Sequence, residues 1–349
     1  MSTQKEVAEK AGVSFITVSR VVNGVGNVKD STRQRVEAAI KALNYHPNRQ
    51  AQALNNGLTR SLAFVTPRMY DLPLFNNFFV MSLLSGVEMR GRAAGWDILV
   101  TTDFDLARNF DFLRVWHQRK VDGLIFVGFQ RFPEEQRRII EERDIPCVSI
   151  ADRVDSPAIS WVDTDNRLAA KDAVLRLLER GHCKFAYIGT DPDRDYNPNF
   201  ISRGEAVNET LAERGLTPRL LISDSSTPTT GVPMAQAFLA MEDRPTAIIS
   251  GNDSIAFNFI AENARRGVLC PRDYSIVGFD AEPAGRISSP TLASYEQPLL
   301  DMGAMAANIL VERITGKEKA RRTIEYPMRF VGGTSIGVPP PASSVAPSK

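Results

Sequence analysis

Between Ser14 and Asn23 the chain sets hydroxyls, an amide and one guanidinium among valines, in the order SFITVSRVVN. On a helix, Val18, Val21 and Val22 fall on one face. Ser14, Phe15, Ile16, Thr17, Ser19, Arg20 and Asn23 are left for the other. Hydroxyl and amide groups near a helix start suit phosphate oxygens. An arginine can pair in bidentate fashion with a guanine edge, and Phe15 and Ile16 can pack on a thymine methyl. The alternative is a helical hairpin that packs on another protein.

A second group of polar residues follows apolar runs in the body. Asp152 comes after PCVSIA, Asn252 and Asp253 after AIISG, and Asp280 after YSIVGF. Open α/β sheets bind ligands at such strand ends. Helix capping or turn chemistry is the alternative for each. Asp253 stands directly before a helical segment and is read as structural.

Catalytic signatures are missing. Gly24-Val25-Gly26 lacks a third glycine and a preceding strand, and no P-loop, GxSxG or HExxH occurs. The paired acids Asp163/Asp165 and Asp191/Asp193 fit turns and caps. His46, His117 and His182, and Cys147, Cys183 and Cys270, are scattered, with no metal-ligand spacing and no disulfide framework. No enzyme activity, cofactor or metal is expected.

The elements that must carry these residues fall into distinct regions. Residues 1–45 read as three short helices. Gly12 breaks the first, Ser14 caps the second, and Asp30 or Ser31 caps the third. In 46–60, Pro47 precedes NRQAQALNN, and Gly57 follows as a stop. So short a helix forms only when packed against something. From Ser61, β-type runs at 61–66, 96–101, 122–127, 146–150, 184–189, 219–223, 246–250 and 274–279 alternate with helical segments such as 78–94, 165–180 and 254–266. This predicts α/β lobes with parallel sheets, two of them, dividing near residue 160. The tail from Val338 is rich in proline and serine and is expected to be disordered.

Charge separates the regions too. The first sixty residues hold nine lysines and arginines against four acids, and the rest hold 33 against 37. A basic head on a mildly acidic body fits a polyanion-binding module. No apolar stretch is long enough to span a membrane and no apolar signal core opens the chain, so a cytoplasmic protein is expected.

The stretch VAEKAGVSFITVSRVVNG, followed by RVEAAIKALNYHPNRQAQAL, resembles the LacI/GalR family of bacterial transcription regulators. The likeness continues to about residue 337. It implies a helix-turn-helix three-helix domain (1–46), a hinge helix and linker (47–60) and a two-lobed body (61–337) like periplasmic sugar-binding proteins. The chain would recross between the lobes near 290 and 325, and 338–349 would remain a tail. The resemblance places Phe15, Ile16 and Arg20 at base-reading positions. It places Ser14, Thr17, Ser19, Asn23, Asn27, Thr32 and Tyr45 at phosphate-contacting ones. Asn48, Ala51, Gln52 and Leu54 lie in the hinge helix, with Leu54 as a minor-groove wedge. Asn55 replaces the family's usual small residue.

For the body, the resemblance implies an effector cleft with Phe79, Asp152, Asn197, Arg203, Asn252, Asp280 and Gln297. The family's Gly-Phe after the arginine is Ala206-Val207 here, and the second acid after Asp280 is Ala281. Arg194, Tyr196 and Asn197, in a long DPDRDYNPNFIS segment, are candidates for specificity. Carboxylates, amides and an arginine suit polyhydroxyl ligands, favouring a sugar or sugar derivative over a purine. Implied partners are double-stranded operator DNA, the effector and a second copy of the chain. A plain sugar-transport module would need an export signal and would have no use for residues 1–60. Arg20→Ala is expected to weaken specific DNA binding by roughly 1–3 kcal/mol and relax one base preference, as measured by competition with single-base operator variants.

Overall fold

The computed structural model describes residues 2–23, 26–45, 57–66, 77–101, 113–128 and 134–341. The chain divides into two compact units, residues 1–60 and 61–349. In the first, helices α1 (Gln4–Ala11), α2 (Phe15–Asn23) and α3 (Asp30–Ala42) enclose Val7, Ala8, Ala11, Val18, Val21, Val36 and Ala39. Helix α1 opens with a capping box between Thr3 and Glu6, which satisfies two N–H groups that would otherwise lack partners. It closes at Gly12, whose left-handed φ of 63° lets its N–H reach back to Ala8 and Glu9. The expected cap of α3 is corrected. Asp30 is already helical, and Lys29 flanks the start with no side-chain cap. Asp30 instead puts negative charge in the first turn, where the helix dipole favours it.

Among the described residues the second unit holds two six-stranded sheets. The first comprises β1 (Ser61–Val65), β2 (Asp97–Thr101), β3 (Gly123–Val127), β4 (Cys147–Ile150), β5 (Ser160–Thr164) and β11 (Thr323–Tyr326), in the order β11-β5-β4-β3-β1-β2 and parallel throughout. The second comprises β6 (Phe185–Thr190), β7 (Arg219–Ser223), β8 (Ala247–Ser250), β9 (Ser275–Phe279), β10 (Ala293–Glu296) and β12 (Arg329–Val331), in the order β12-β10-β9-β8-β6-β7. Here β12 alone runs antiparallel, against β10.

The helices are α4 (Phe78–Ala93), α5 (Arg114–His117), α6 (Glu134–Arg143), α7 (Asn166–Glu179), α8 (Pro198–Ala212), α9 (Gly231–Leu239), α10 (Asp253–Arg265), α11 (Pro283–Ile287) and α12 (Leu299–Ile314). Strand alternation decides which helices each residue meets. Leu62, Phe64, Ile125 and Val127 face α4 and α12, while Ala63, Val65, Leu124 and Phe126 face the layer of α5 and α6. In the second lobe Tyr187 and Ile249 face α7 and α8, and Ala186, Ile188 and Ile248 face α9 and α10. Burial on both faces explains why these strands read as continuous apolar runs.

The chain passes between the lobes three times: after β5, between β10 and α12, and between β11 and β12. Helix α12 therefore returns to the first lobe and packs on α4. Their crossing is closed by two glycines. A methyl group on Gly86 would overlap the Leu300 carbonyl, and one on Gly303 would overlap the Leu83 carbonyl. Close to β4, Asp152 is buried with its carbon atoms against Gly128. Burial, and then the neighbouring Asp163, push its carboxyl up to about 7.

Two outcomes follow from this packing. Gly86→Ala or Gly303→Ala is expected to cost about 1–3 kcal/mol or more in urea unfolding, because backbone cannot yield as a side chain does. Asp152 binds a proton more tightly when folded, so its contribution is lost as pH rises from about 4 to about 7. Asp152→Asn is expected to match the parent below about pH 4 and exceed its stability above, by up to about 1.4 kcal/mol per pH unit in unfolding titrations.

Candidate DNA-reading helix and ligand cleft

Helix α2 presents its apolar stripe inward and its polar face outward. Val18 is fully buried, whereas Phe15 is 49% and Ile16 62% exposed. Ser14 caps the helix, its Oγ accepting from the Thr17 N–H at 3.2 Å and lying 2.9 Å from the Thr17 hydroxyl. Arg20 is exposed one turn further on, its stem beside Gly26. The structure thus sets Ser14, Phe15, Ile16 and Arg20 on the exposed part of one helix. Thr17, Ser19 and Thr32 are half-buried, and Asn27 is exposed. Tyr45 packs partly on the small core. The Asn23 side chain, and Asn48, Ala51, Gln52 and Leu54, lie outside the described residues.

In the second unit a cleft forms between the lobes. It encloses about 590 Å³ including its open mouth. From the first lobe come Asn77, Phe78 and Phe79, at the start of α4. From the second come Asn197, Asn199, Phe200 and Arg203 on α8 and its cap, Ser226 and Pro228 after β7, and Asn252, Ser254, Asp280 and Glu282. Of the seven residues expected there, Phe79, Asn197, Arg203, Asn252 and Asp280 meet in this cavity. Asp152 and Gln297 are buried but are not among the lining residues. Arg194 is exposed and paired with Asp224.

Arg203 occupies the floor, 1% exposed. Its Nε donates to Asn166 Oδ1 at 2.8 Å and its Nη1 to the Gly251 carbonyl at 2.5 Å. The guanidinium lies over the Phe279 ring, 4.1 Å from its centroid. Its Nη2 is buried and has no hydrogen-bond partner among the described residues. A buried charged donor left unpaired is costly, so this nitrogen marks where an acceptor atom belongs. Burial lowers the Arg203 pKa, against the attraction of Asp280, Tyr187, Asp163 and Asp253.

Asp280 follows β9 in a strained turn. Its φ is 104° and that of Ala281 is 48°, unusual for residues with side chains. Burial pushes the Asp280 carboxyl up to about 7, opposed first by Arg203. Asp253 is structural, as its sequence context suggests. It accepts from the Ser294 hydroxyl at 2.7 Å and the Glu282 N–H at 2.8 Å. Asn252 and Asn197 cap α10 and α8 by accepting from Ile255 and Phe200. They combine the capping and cavity-lining alternatives.

Sequence reading missed Asn166, Asn199, Ser226, Pro228, Ser254, Phe279 and Glu282. Ser226 follows an apolar run and was within reach of the strand-end rule. Asn166 and Asn199 were not, because only the fold makes them neighbours, through a 3.0 Å hydrogen bond. Among the described residues no cluster of three or more His, Cys, Asp or Glu could hold a metal, and no helix is long and apolar enough to cross a membrane.

Residues 3–48 match the model of bacterial regulatory proteins of the lacI family, and residues 149–336 match the periplasmic binding protein-like domain. The HTH-type transcriptional regulator RegA of Clostridium saccharobutylicum is 30% identical over 90% of this chain and 93% of its own. A lac repressor dimer bound to operator and the anti-inducer ONPF superposes with a TM-score of 0.82 at 22% identity, covering 96% of this chain and 98% of that one. The transcriptional regulator CelR in complex with cellobiose gives a TM-score of 0.70 at 26% identity, covering 96% and 100%. A helix-turn-helix unit, a two-lobed α/β unit and full-length regulator relatives converge: the chain belongs to the LacI family of DNA-binding transcriptional regulators.

Proposed function

We propose that this chain is a repressor of carbohydrate uptake or catabolism genes, released from or recruited to its operator by a sugar or sugar derivative. The observation that carries the ligand reading is the unpaired Nη2 of Arg203 at the floor of a cleft that also contains Asp280. A hydroxyl can accept from the guanidinium and donate to the carboxylate, so a diol uses both. Phe79 and Phe200, at opposite walls, offer apolar surface to a ring. The solved relative with cellobiose supports the same ligand class.

A pseudo-palindromic operator is the DNA expected, read by two copies of α2. The second copy fits exposed apolar edge strands. Leu99 and Val100 lie on β2, and Leu220 and Ile222 on β7, at the open ends of their sheets. Unpaired apolar edges of this kind are covered in stable proteins. The ligand favours one arrangement of the lobes, and the spacing of the hinge segments across the dimer follows. Its leverage equals its differential affinity for the two arrangements.

Capture of fragmented genomic DNA by the full chain, followed by sequencing, tests the DNA reading. A shared pseudo-palindrome upstream of sugar transport or metabolism genes supports it. Recovery of no common motif, with and without pooled sugars and purines, overturns it. On the recovered operator, Arg203→Ala and Asp280→Ala are each expected to keep DNA binding and lose the ligand response. A normal response in both variants places the ligand elsewhere.

A further inference from the structure

The two charged groups of the cleft floor are each tied to a different interlobe crossing. Arg203 donates through Nε to Asn166, the first helical residue after the β5 crossing. Asp280 Oδ1 accepts at 2.6 Å from Nε2 of Gln297, which sits in the crossing between β10 and α12. The two crossings are joined to each other, because Thr164 Oγ1 at the end of β5 donates to Gln297 Oε1 at 3.0 Å. Asn166 also donates to the Thr164 carbonyl at 3.2 Å. Thr164, Asn166 and Gln297 are at most 5% exposed, so water does not replace these bonds.

Gln297 is absent from the cavity lining but fully engaged behind it. Both ends of its amide are used, one toward each lobe. We infer that Gln297 is a positioning residue that latches the interlobe hinge to Asp280, so that whatever engages Asp280 in the cleft also resets the hinge. This rests on reading the cleft as the effector site, and deepens it. A ligand hydroxyl on Asp280 competes with the Gln297 amide for the same carboxylate, and an acceptor on Arg203 Nη2 acts on the group held by Asn166. Both crossings then respond to one molecule, and no separate relay is needed.

The test is hydrogen exchange by mass spectrometry on the full chain without ligand, at about pH 5 and about pH 8. The readout is the peptide over 78–84, on the first-lobe wall of the cleft, as a ratio to the parent at the same pH. The parent supplies the baseline for the charged groups that act on Asp280, namely Arg203 on α8, Asp253 on α10 and Glu282 after β9, and for Asp163 on β5 and Tyr187 on β6, which act on Arg203. Gln297→Glu keeps the acceptor for Thr164 but sets a carboxyl against Asp280. At low pH one proton bridges the two carboxyls and the latch holds; at high pH they repel.

The expected result for Gln297→Glu is a ratio near one at the lower pH. At the higher pH the ratio should be roughly threefold or more, the scale of one lost hydrogen bond. Gln297→Leu is expected to be raised at both. Any pattern in which Gln297→Glu does not change between the two pH values overturns the latch, whether the ratio stays near one or stays high. No ligand enters this experiment, so its failure is distinct from a normal ligand response in the Arg203 and Asp280 variants, which would refute the cleft itself.

Discussion

A fully buried guanidinium governs the second unit. Removing Arg203 from water costs several kcal/mol unless fixed dipoles and opposite charges replace the lost hydration. The chain meets that demand with the Asn166 amide, the Gly251 carbonyl, the Phe279 ring and the nearby carboxylates. Each of these is in turn constrained. Asn166 must begin α7 at the point where the chain leaves the first lobe. Asp280 must accept a positive φ to bring its carboxyl to the floor. Asp253 must be held by Ser294 and the Glu282 N–H. The floor is a rigid polar network with one donor unspent, a form of preorganisation for a ligand acceptor.

The first unit solves a different problem with fewer residues. Its small core is built from valines and alanines, and a capping box and a left-handed glycine set the ends of α1. Because the core is satisfied from one face of α2, the other face is free to carry Phe15 and Ile16 in water. Exposing two large apolar side chains on a short helix works against solubility, which is consistent with a surface kept for contact with DNA bases.

Much of this architecture was legible from residue patterns, for physical reasons that also explain the gaps. Strands β1, β3, β4, β6, β8 and β9 are buried on both faces and read as apolar runs, and the largely exposed edge strands β2 and β7 read so because they carry Leu99, Val100, Leu220 and Ile222. Strands β11 and β12 are short and half-exposed at sheet edges, so TIEY and RFV carry no such signal. Strand β5 carries no such signal either, because SWVDT mixes apolar and polar positions, though it is largely buried. Arg203, Asp280 and Asn252 could be singled out from the likeness to known regulators and from position after strands. Their partners Asn166 and Gln297 acquire meaning only once three crossings lie side by side, a long-range fact that no local pattern encodes. The family resemblance alone places Gln297 at the cleft. Its place behind Asp280 depends on Thr164, which lies 133 positions away in the chain.

The threefold passage between lobes has a consequence for biosynthesis. The first lobe gains β1 to β5 early, but its core is finished by α12 and its sheet by β11, which end at Ile314 and Tyr326. While β6 to β10 of the second lobe are being made, the surface that α12 will cover stays open. At ordinary elongation rates that interval is on the order of ten seconds. Leu62, Phe64, Leu83 and Val87 are then unsheltered on a nascent chain, while residues 165–296 can already assemble most of the other lobe. The order of synthesis therefore assembles most of the second lobe before the first lobe's core is closed, with β12 left to finish the second sheet last, and exposes the first-lobe apolar residues to aggregation for that interval.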